Sequence, residues 1–373
     1  MTGRLTTRRL PRDLHPGAWW LWALGLAVGA SATTNPLLLV LLVAAAALVV
    51  VVRRSDQPWA GSFWLYLVLG VVIVAVRVVF RVLVGGGLDT AGTTVWLDLP
   101  AVSLPGWAAG VHLLGPVTAE AVLGGLDDGL RLAAIVALVG AANSLANPKR
   151  LLKSMPPALY EVGTAVVVSV SVLPQLSDAV RRVRAARALR GSAGGRLTRL
   201  RHTVVPVMED ALERSLTLAA SMDVRGYGRR GELTSRQRRV TGALMLAGLC
   251  GICVGLYALL DETAPRVLAL PMLLGGALVA LAGFAAAGRR VRRSRYRPDR
   301  WRPAEVLTAA SGLLAAATVI GLGQPAAHPS VTSPPVLTAP MLVAVLLAAV
   351  PALLAPPPML AAGSEALPGV DAS

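Results

Sequence analysis

Eight apolar stretches divide this chain, and the cations lie mostly between them. They run over about 19–32, 37–52, 62–84, 120–146, 240–260, 267–287, 304–322 and 336–354. About 20 apolar residues in a helix match the thickness of a bilayer's hydrocarbon core. A backbone inside that core must satisfy its own hydrogen bonds, as a helix does. With 55% hydrophobic residues, only 15% charged and a mean hydropathy of +0.63, a typical soluble domain is excluded. The class expected is an all-α polytopic membrane protein with six to eight spanning helices.

The loops orient these helices. Residues 1–17 carry Arg4, Arg8, Arg9 and Arg12, and Trp19, Trp20 and Trp22 follow as interface anchors. The first stretch is short and ends Ala30-Ser31-Ala32, as a cleaved signal peptide would. Its immediate continuation through Asn35-Pro36 into a second stretch favours an uncleaved span. Arg53 and Arg54, Lys149 and Arg150, and the arginines from Arg289 to Arg297 mark one side of the membrane, while 85–119 contains no Lys or Arg. The positive-inside rule then places both termini in the cytoplasm of a multi-pass plasma-membrane protein, with 85–119 outside. Arg77 and Arg81, four apart on one face of the third span, either snorkel to an interface or make a contact inside a complex. Asp127, Asp128 and Arg131 interrupt the fourth stretch, so its membrane part begins near Arg131. The expected organisation is spans and an external loop in 1–146, a cytoplasmic coupling region in 147–239, a spanning hairpin in 240–287, a basic loop and further hairpin in 288–355, and a disordered Pro/Ala/Gly-rich tail in 356–373.

Half of the 36 Lys and Arg fall between Asn147 and Val240. Within this basic region, Pro156-Pro157 should break the helix. Residues 158–173 are apolar but short for a span, and are expected to lie at the membrane base. Two amphipathic helices follow. In the first, 175–190, Leu176, Ala179, Val180, Val183 and Ala186 recur at helical spacing, with Arg181, Arg182, Arg184 and Arg187 around them. In the second, 203–225, the stripe is Val204, Met208, Ala211, Leu212, Ser215, Ala219 and Met222, and Pro206 falls in the first turn. At ~1.5 Å per residue they are roughly 24 and 35 Å long. Both end in Arg-Gly, at Arg190-Gly191 and Arg225-Gly226. Glycine closes a helix in the left-handed conformation, and the preceding arginine sits at the negative end of the dipole. Each helix therefore presents a guanidinium at its tip, and two such tips suggest a device that fills two sockets.

The run from Pro174 through Ala186-Arg187-Ala188-Leu189-Arg190-Gly191 resembles the first signature of the transmembrane T component of energy-coupling factor (ECF) transporters, the EcfT/CbiQ type. The run from Val205-Pro206 through Ser221-Met222-Asp223-Val224-Arg225-Gly226-Tyr227-Gly228 resembles the second. Leu189 and Val224 stand where that family has alanine. The resemblance covers about residues 15–290. It implies a subunit that does no chemistry of its own and holds no cofactor or metal. Its partners would be two cytoplasmic ABC-type ATPases and a substrate-binding S component in the membrane. It implies that Arg190, Gly191, Arg225 and Gly226 dock into the ATPases, with Pro174, Ala186, Arg187, Pro206, Met222 and Tyr227 supporting the coupling helices. The cargo would be a vitamin or a transition-metal cation, selected by the S component.

Other classes find less support. A membrane-embedded enzyme would draw on Glu161, Asp178, Glu209 and Asp210, but these show no acid–base or metal-ligand spacing. A membrane scaffold without transport remains the third reading. Cys250 and Cys253 form a lone CxxC inside an apolar span, and His15, His112, His202 and His328 are scattered. No phosphate-binding Gly-x4-Gly-Lys-Ser/Thr loop is present. The basic balance, net +16, fits cytoplasmic loops rather than nucleic acid.

Overall fold

The computed structural model of the protein describes residues 12–56, 58–84, 94–100, 102–103, 112–154, 160–189, 196–226, 235–261, 265–289, 299–331 and 333–358. In chain order these form α1 (Pro16–Ser31), α2 (Pro36–Arg53), a 3-10 turn (Pro58–Ser62), α3 (Phe63–Val84), β1 (Val95–Asp98), β2 (Val102–Ser103), β3 (His112–Leu113), β4 (Pro116–Thr118), α4 (Ala119–Leu145) and α5 (Pro148–Lys153). Then come α6 (Tyr160–Leu189), α7 (Arg196–Val224), α8 (Ser235–Leu260), α9 (Arg266–Arg289), α10 (Pro303–Ile320), α11 (Gln324–Ala327), α12 (Ala339–Ala349) and α13 (Pro351–Leu354). Among the described residues six helices are long and apolar enough to cross a membrane, including 36–53, 60–84 and 303–320. The protein is an all-α polytopic membrane protein with one small β element. Its contacts divide it into two compact units, 1–151 with 299–373, and 152–298.

In the first unit, α1 starts on Pro16, and the His15 Nδ1 accepts the Gly17 N–H at 3.0 Å. Its small residues let it pack tightly on α10: a Cβ on Gly25 would lie 2.6 Å from the Gly312 carbonyl carbon, and one on Gly312 would overlap the Trp22 carbonyl. Close approach through glycine is how spanning helices gain contact where lipid removes the hydrophobic drive. Buried polar groups then tie chain ends together. The Trp22 indole N–H donates to the Ala348 carbonyl at 3.1 Å, and the Thr33 hydroxyl to Ala327 at 2.7 Å. Asn35 accepts from Leu37 and Leu38 as the cap of α2 and donates to the Val336 carbonyl at 3.2 Å. The Arg53 Nε donates to the Ala352 carbonyl at 3.1 Å. At the same end of α2, Arg12 pairs with Glu305 at 2.9 Å, and Glu305 is 1% exposed. The Arg150 Nε binds Asp299 at 3.1 Å, and His15 stacks on Trp301. The hairpin α10–α12 thus completes the packing of α1 and α2.

α4 packs on α3 through Gly70, Gly129 and Gly140, the last lying under the Tyr66 ring. Asn143 donates to the Tyr66 hydroxyl at 3.0 Å, and Ser144 to the Ala60 carbonyl at 2.6 Å. The Arg131 guanidinium meets the Ser31 carbonyl at the C-terminus of α1, where a cation is favoured. The antiparallel pairs β1–β4 and β2–β3 have nested registers, Val95↔Thr118 and Leu97↔Val117, then Val102↔Leu113. They are two separate two-stranded sheets, nested in sequence between α3 and α4, and together are called the ribbon below.

In the second unit α8 and α9 pack glycine to backbone: a Cβ on Gly255 would lie 2.5 Å from the Leu273 nitrogen, and one on Gly276 2.5 Å from the Ile252 nitrogen. Two expectations change here. Residues 160–173 are not a separate element but the first half of α6, which continues through Pro174 for 30 residues. α7 begins at Arg196, seven residues earlier than expected, so Pro206 is interior and not in the first turn. In both cases the helix continues across a proline that removes one hydrogen bond. The last expected span, 336–354, is likewise two helices, because Pro351 interrupts the ladder after Val350. The Pro156-Pro157 break lies outside the described residues.

Candidate functional site

The residues singled out as a two-tipped device lie on α6 and α7. At ~1.5 Å per residue these helices are roughly 45 Å long. The inner face of α6 includes the buried Ala179 and the half-buried Leu176, Val180 and Val183, while Arg181, Arg182 and Arg184 are exposed. On α7 Val207, which the expected stripe omitted, is buried, whereas Val204, Met208 and Leu212 are 45%, 52% and 62% exposed. The remaining stripe residues, Ala211, Ser215, Ala219 and Met222, line a cavity of about 420 Å³ between the helices, facing Leu176 and Ala179. The two helices therefore enclose an open apolar groove instead of closing on each other.

Ion pairs bridge the rim of the groove. Asp210 binds Arg214 one turn on at 2.9 Å and reaches Arg182 of α6 at 3.5 Å. Asp178 meets Arg181 at 4.0 Å. These carboxylates, with the exposed Glu209, sit on helix surfaces, two of them opposite arginines. Glu161 lies in the first turn of α6. Among the described residues no group of three His, Cys, Asp or Glu side chains could hold a metal ion.

The far end of α7 closes as its sequence predicts. Gly226 has φ 77°, the left-handed conformation, and its N–H bonds the Asp223 carbonyl at 2.9 Å. Arg225 occupies the turn and is exposed. Arg190, Gly191 and Tyr227 lie outside the described residues. Pro174 and Ala186 are exposed on α6, Arg187 is within its last turn, and Pro206 is exposed on α7. Sequence reasoning passed over two side chains here. Leu189 and Val224, the last residues of α6 and α7, are 90% and 89% exposed. Each immediately precedes an arginine of an Arg-Gly pair. That adjacency was the signal available, and it was read only as a departure from alanine.

A family model described as cobalt transport protein, CbiQ, matches residues 7–235, more than half of the chain, including all of α6 and α7. No curated protein and no solved structure matches the chain.

Proposed function

The chain belongs to the CbiQ family of cobalt transport proteins, and from that premise we propose that it is the transmembrane coupling subunit of an ECF-type ABC importer. In this reading residues 147–239 form the cytoplasmic coupling region. α6 and α7 transmit motion from two ATPases to a separate substrate-binding S component, which takes up a transition-metal cation or a vitamin. The chain itself carries out no catalysis. Both termini are cytoplasmic and 85–119 is external. Although 162–186 of α6 is long enough to cross a membrane, Asp178, Arg181, Arg182 and Arg184 crowd its second half. Charges at that density favour the membrane surface over its core.

The observation that carries the reading is the pair of open helix ends. Leu189 and Val224 are large apolar residues with nine-tenths of their surface free. Single exposed apolar residues are ordinary on a surface; what sets these two apart is that each stands next to the arginine of an Arg-Gly pair. Those arginines are Arg190 and Arg225, and a guanidinium keeps its charge and makes forked hydrogen bonds to carboxylates or carbonyls. A packed helix moves as a body, so a push at its end reaches its other end.

The test is charge reversal. Truncating or opposing an interfacial charge costs about 2–5 kcal/mol, roughly thirty- to several-thousand-fold in affinity. Arg190→Glu alone is expected to weaken co-purification of the ATPases, and Arg190→Glu with Arg225→Glu to abolish it together with uptake. Arg229→Glu with Arg230→Glu controls for general charge. Full ATPase retention by the double tip variant, with loss in the control, would refute docking through the tips.

A further inference from the structure

The C-terminal end of α3 carries features that coupling does not use. Arg77 and Arg81 stand one turn apart beside α4, their Cβ atoms close to Gly129 and Gly125. Arg81 reaches Asp128 at 3.5 Å, with both side chains nearly half exposed. Arg77 is exposed and forms no hydrogen bond or ion pair among the described residues. A guanidinium on a spanning helix needs an anion or a polar phase within reach, and among the described residues Arg77 has neither a hydrogen-bond nor an ion-pair partner. Arg77 lies seven residues before Val84, roughly 10 Å along the axis. A snorkelling arginine bridges much of that distance while its stem stays in the apolar layer.

The ribbon supplies a second, independent observation just beyond the end of α3. Its base is fixed to the helix ends: the Leu114 N–H donates to the Leu83 carbonyl at 2.8 Å and the Ala119 N–H to the Thr94 carbonyl at 2.9 Å. Just above that base Val95, Trp96 and Leu97 are 45%, 61% and 56% exposed. Successive strand residues point to opposite faces, so both faces of β1 are apolar and open. A single docked protein would cover one face, whereas a fluid medium surrounds both. This apolar surface continues directly from the exposed last turns of α3, at Phe80 and Leu83. Residues 85–119 contain no Lys or Arg, so the ribbon has no cation of its own for the negative charge of an acidic membrane surface.

We propose that the end of α3 and its ribbon form a lipid-anchoring collar. Val95, Trp96 and Leu97 lie in the boundary between acyl chains and headgroups, and Arg77 with Arg81 takes the phosphate of a phospholipid. Indole at that depth is the usual preference of tryptophan, and the phosphate is common to zwitterionic and anionic lipids.

The full chain, with Cys250→Ala and Cys253→Ala, carries a nitroxide at Val95→Cys in phosphatidylcholine vesicles. Collision with oxygen and with a water-soluble nickel chelate is measured by electron paramagnetic resonance. Labels at Leu69, on the exposed face of α3, and at Ser330, in the exposed connection before α12, give the lipid and water references. The Val95 label is expected to fall between them, with oxygen favoured several-fold over nickel. Trp96→Asp is expected to move it to the Ser330 value. Nickel access equal to that at Ser330, or shielding from both reagents, overturns the proposal, the first showing an aqueous ribbon and the second a protein-covered one. For the phosphate, native mass spectrometry counts phospholipid retained on release from micelles. Arg77→Leu with Arg81→Leu is expected to lose the retained lipid and Arg184→Leu to keep it, and unchanged retention in the double variant removes the arginines from the collar.

Discussion

The two compact units solve the same problem in opposite ways. In 1–151 with 299–373, polar side chains go into the interior and join segments far apart in sequence: Trp22 to Ala348, Asn35 to Val336, Arg12 to Glu305. In 152–298 the contacts are between sequence neighbours. α8 and α9 interlock through glycine, and α6 and α7 meet through exposed ion pairs around an open groove. A buried polar group is tolerated only where its partner is held in place. The first unit therefore has the character of a scaffold. The second holds its apolar groove open between α6 and α7 and rims it with exposed ion pairs, with Met208, Leu212 and Leu216 exposed along α7.

Substitutions can break that comparison. The largest effect is expected from glycine contacts. Gly312→Val forces a side chain into the Trp22 backbone and should cost about 3 kcal/mol or more. Limited proteolysis in detergent should then release peptides from 299–358 and α1 first. Gly276→Val should instead open α8 and α9 alone. If either variant loosens both units equally, the division is wrong. Next comes Glu305→Ala. Removing one member of a buried pair costs about 3–5 kcal/mol, and because the Arg12 side chain is 28% exposed the lower end is expected. Thermal unfolding of that variant and of the double Arg12→Ala, Glu305→Ala variant gives the coupling between them. The smallest effect is expected from Asp210→Ala. Its pairs with Arg182 and Arg214 are half exposed, so the loss should stay below about 1 kcal/mol and shrink with added salt. A loss as large as that of Glu305→Ala would erase the contrast.

Much of the helix inventory was legible because apolar length is a strong signal. α1, α2, α3, α8, α9 and α10 lie close to where hydropathy put them. The failures are physical. Proline reads as a helix end, yet α6 and α7 run through Pro174 and Pro206, each at the cost of one backbone hydrogen bond. The ribbon was not legible, since pairing between 95–103 and 112–118 depends on partners that local pattern does not identify. The docking of α10 and α12 on α1 was not legible at all. An apolar helix is apolar whether it faces lipid or protein, and the groups that decide the matter, Asn35 and Glu305, stand at helix starts where their distant partners are not visible in sequence. At the candidate site the left-handed glycine at 226 was readable from composition alone. The exposure of Leu189 and Val224 was not, because apolar residues at helix ends are ordinarily packed.

The hairpin that covers α1 also sets a schedule for manufacture. Thr33 waits for the carbonyl of Ala327, 294 residues later in the chain. At about 5–20 residues per second of synthesis, that is roughly 15–60 s during which the first two helices sit in the membrane without their neighbours. The Asn35 amide donor and the Trp22 indole N–H wait through that interval for the Val336 and Ala348 carbonyls, and the lipid or the insertion machinery must shelter them. Contacts closed over such a separation are intrinsically slow to form. The nascent protein is thus most vulnerable to quality control just before its last helices leave the ribosome.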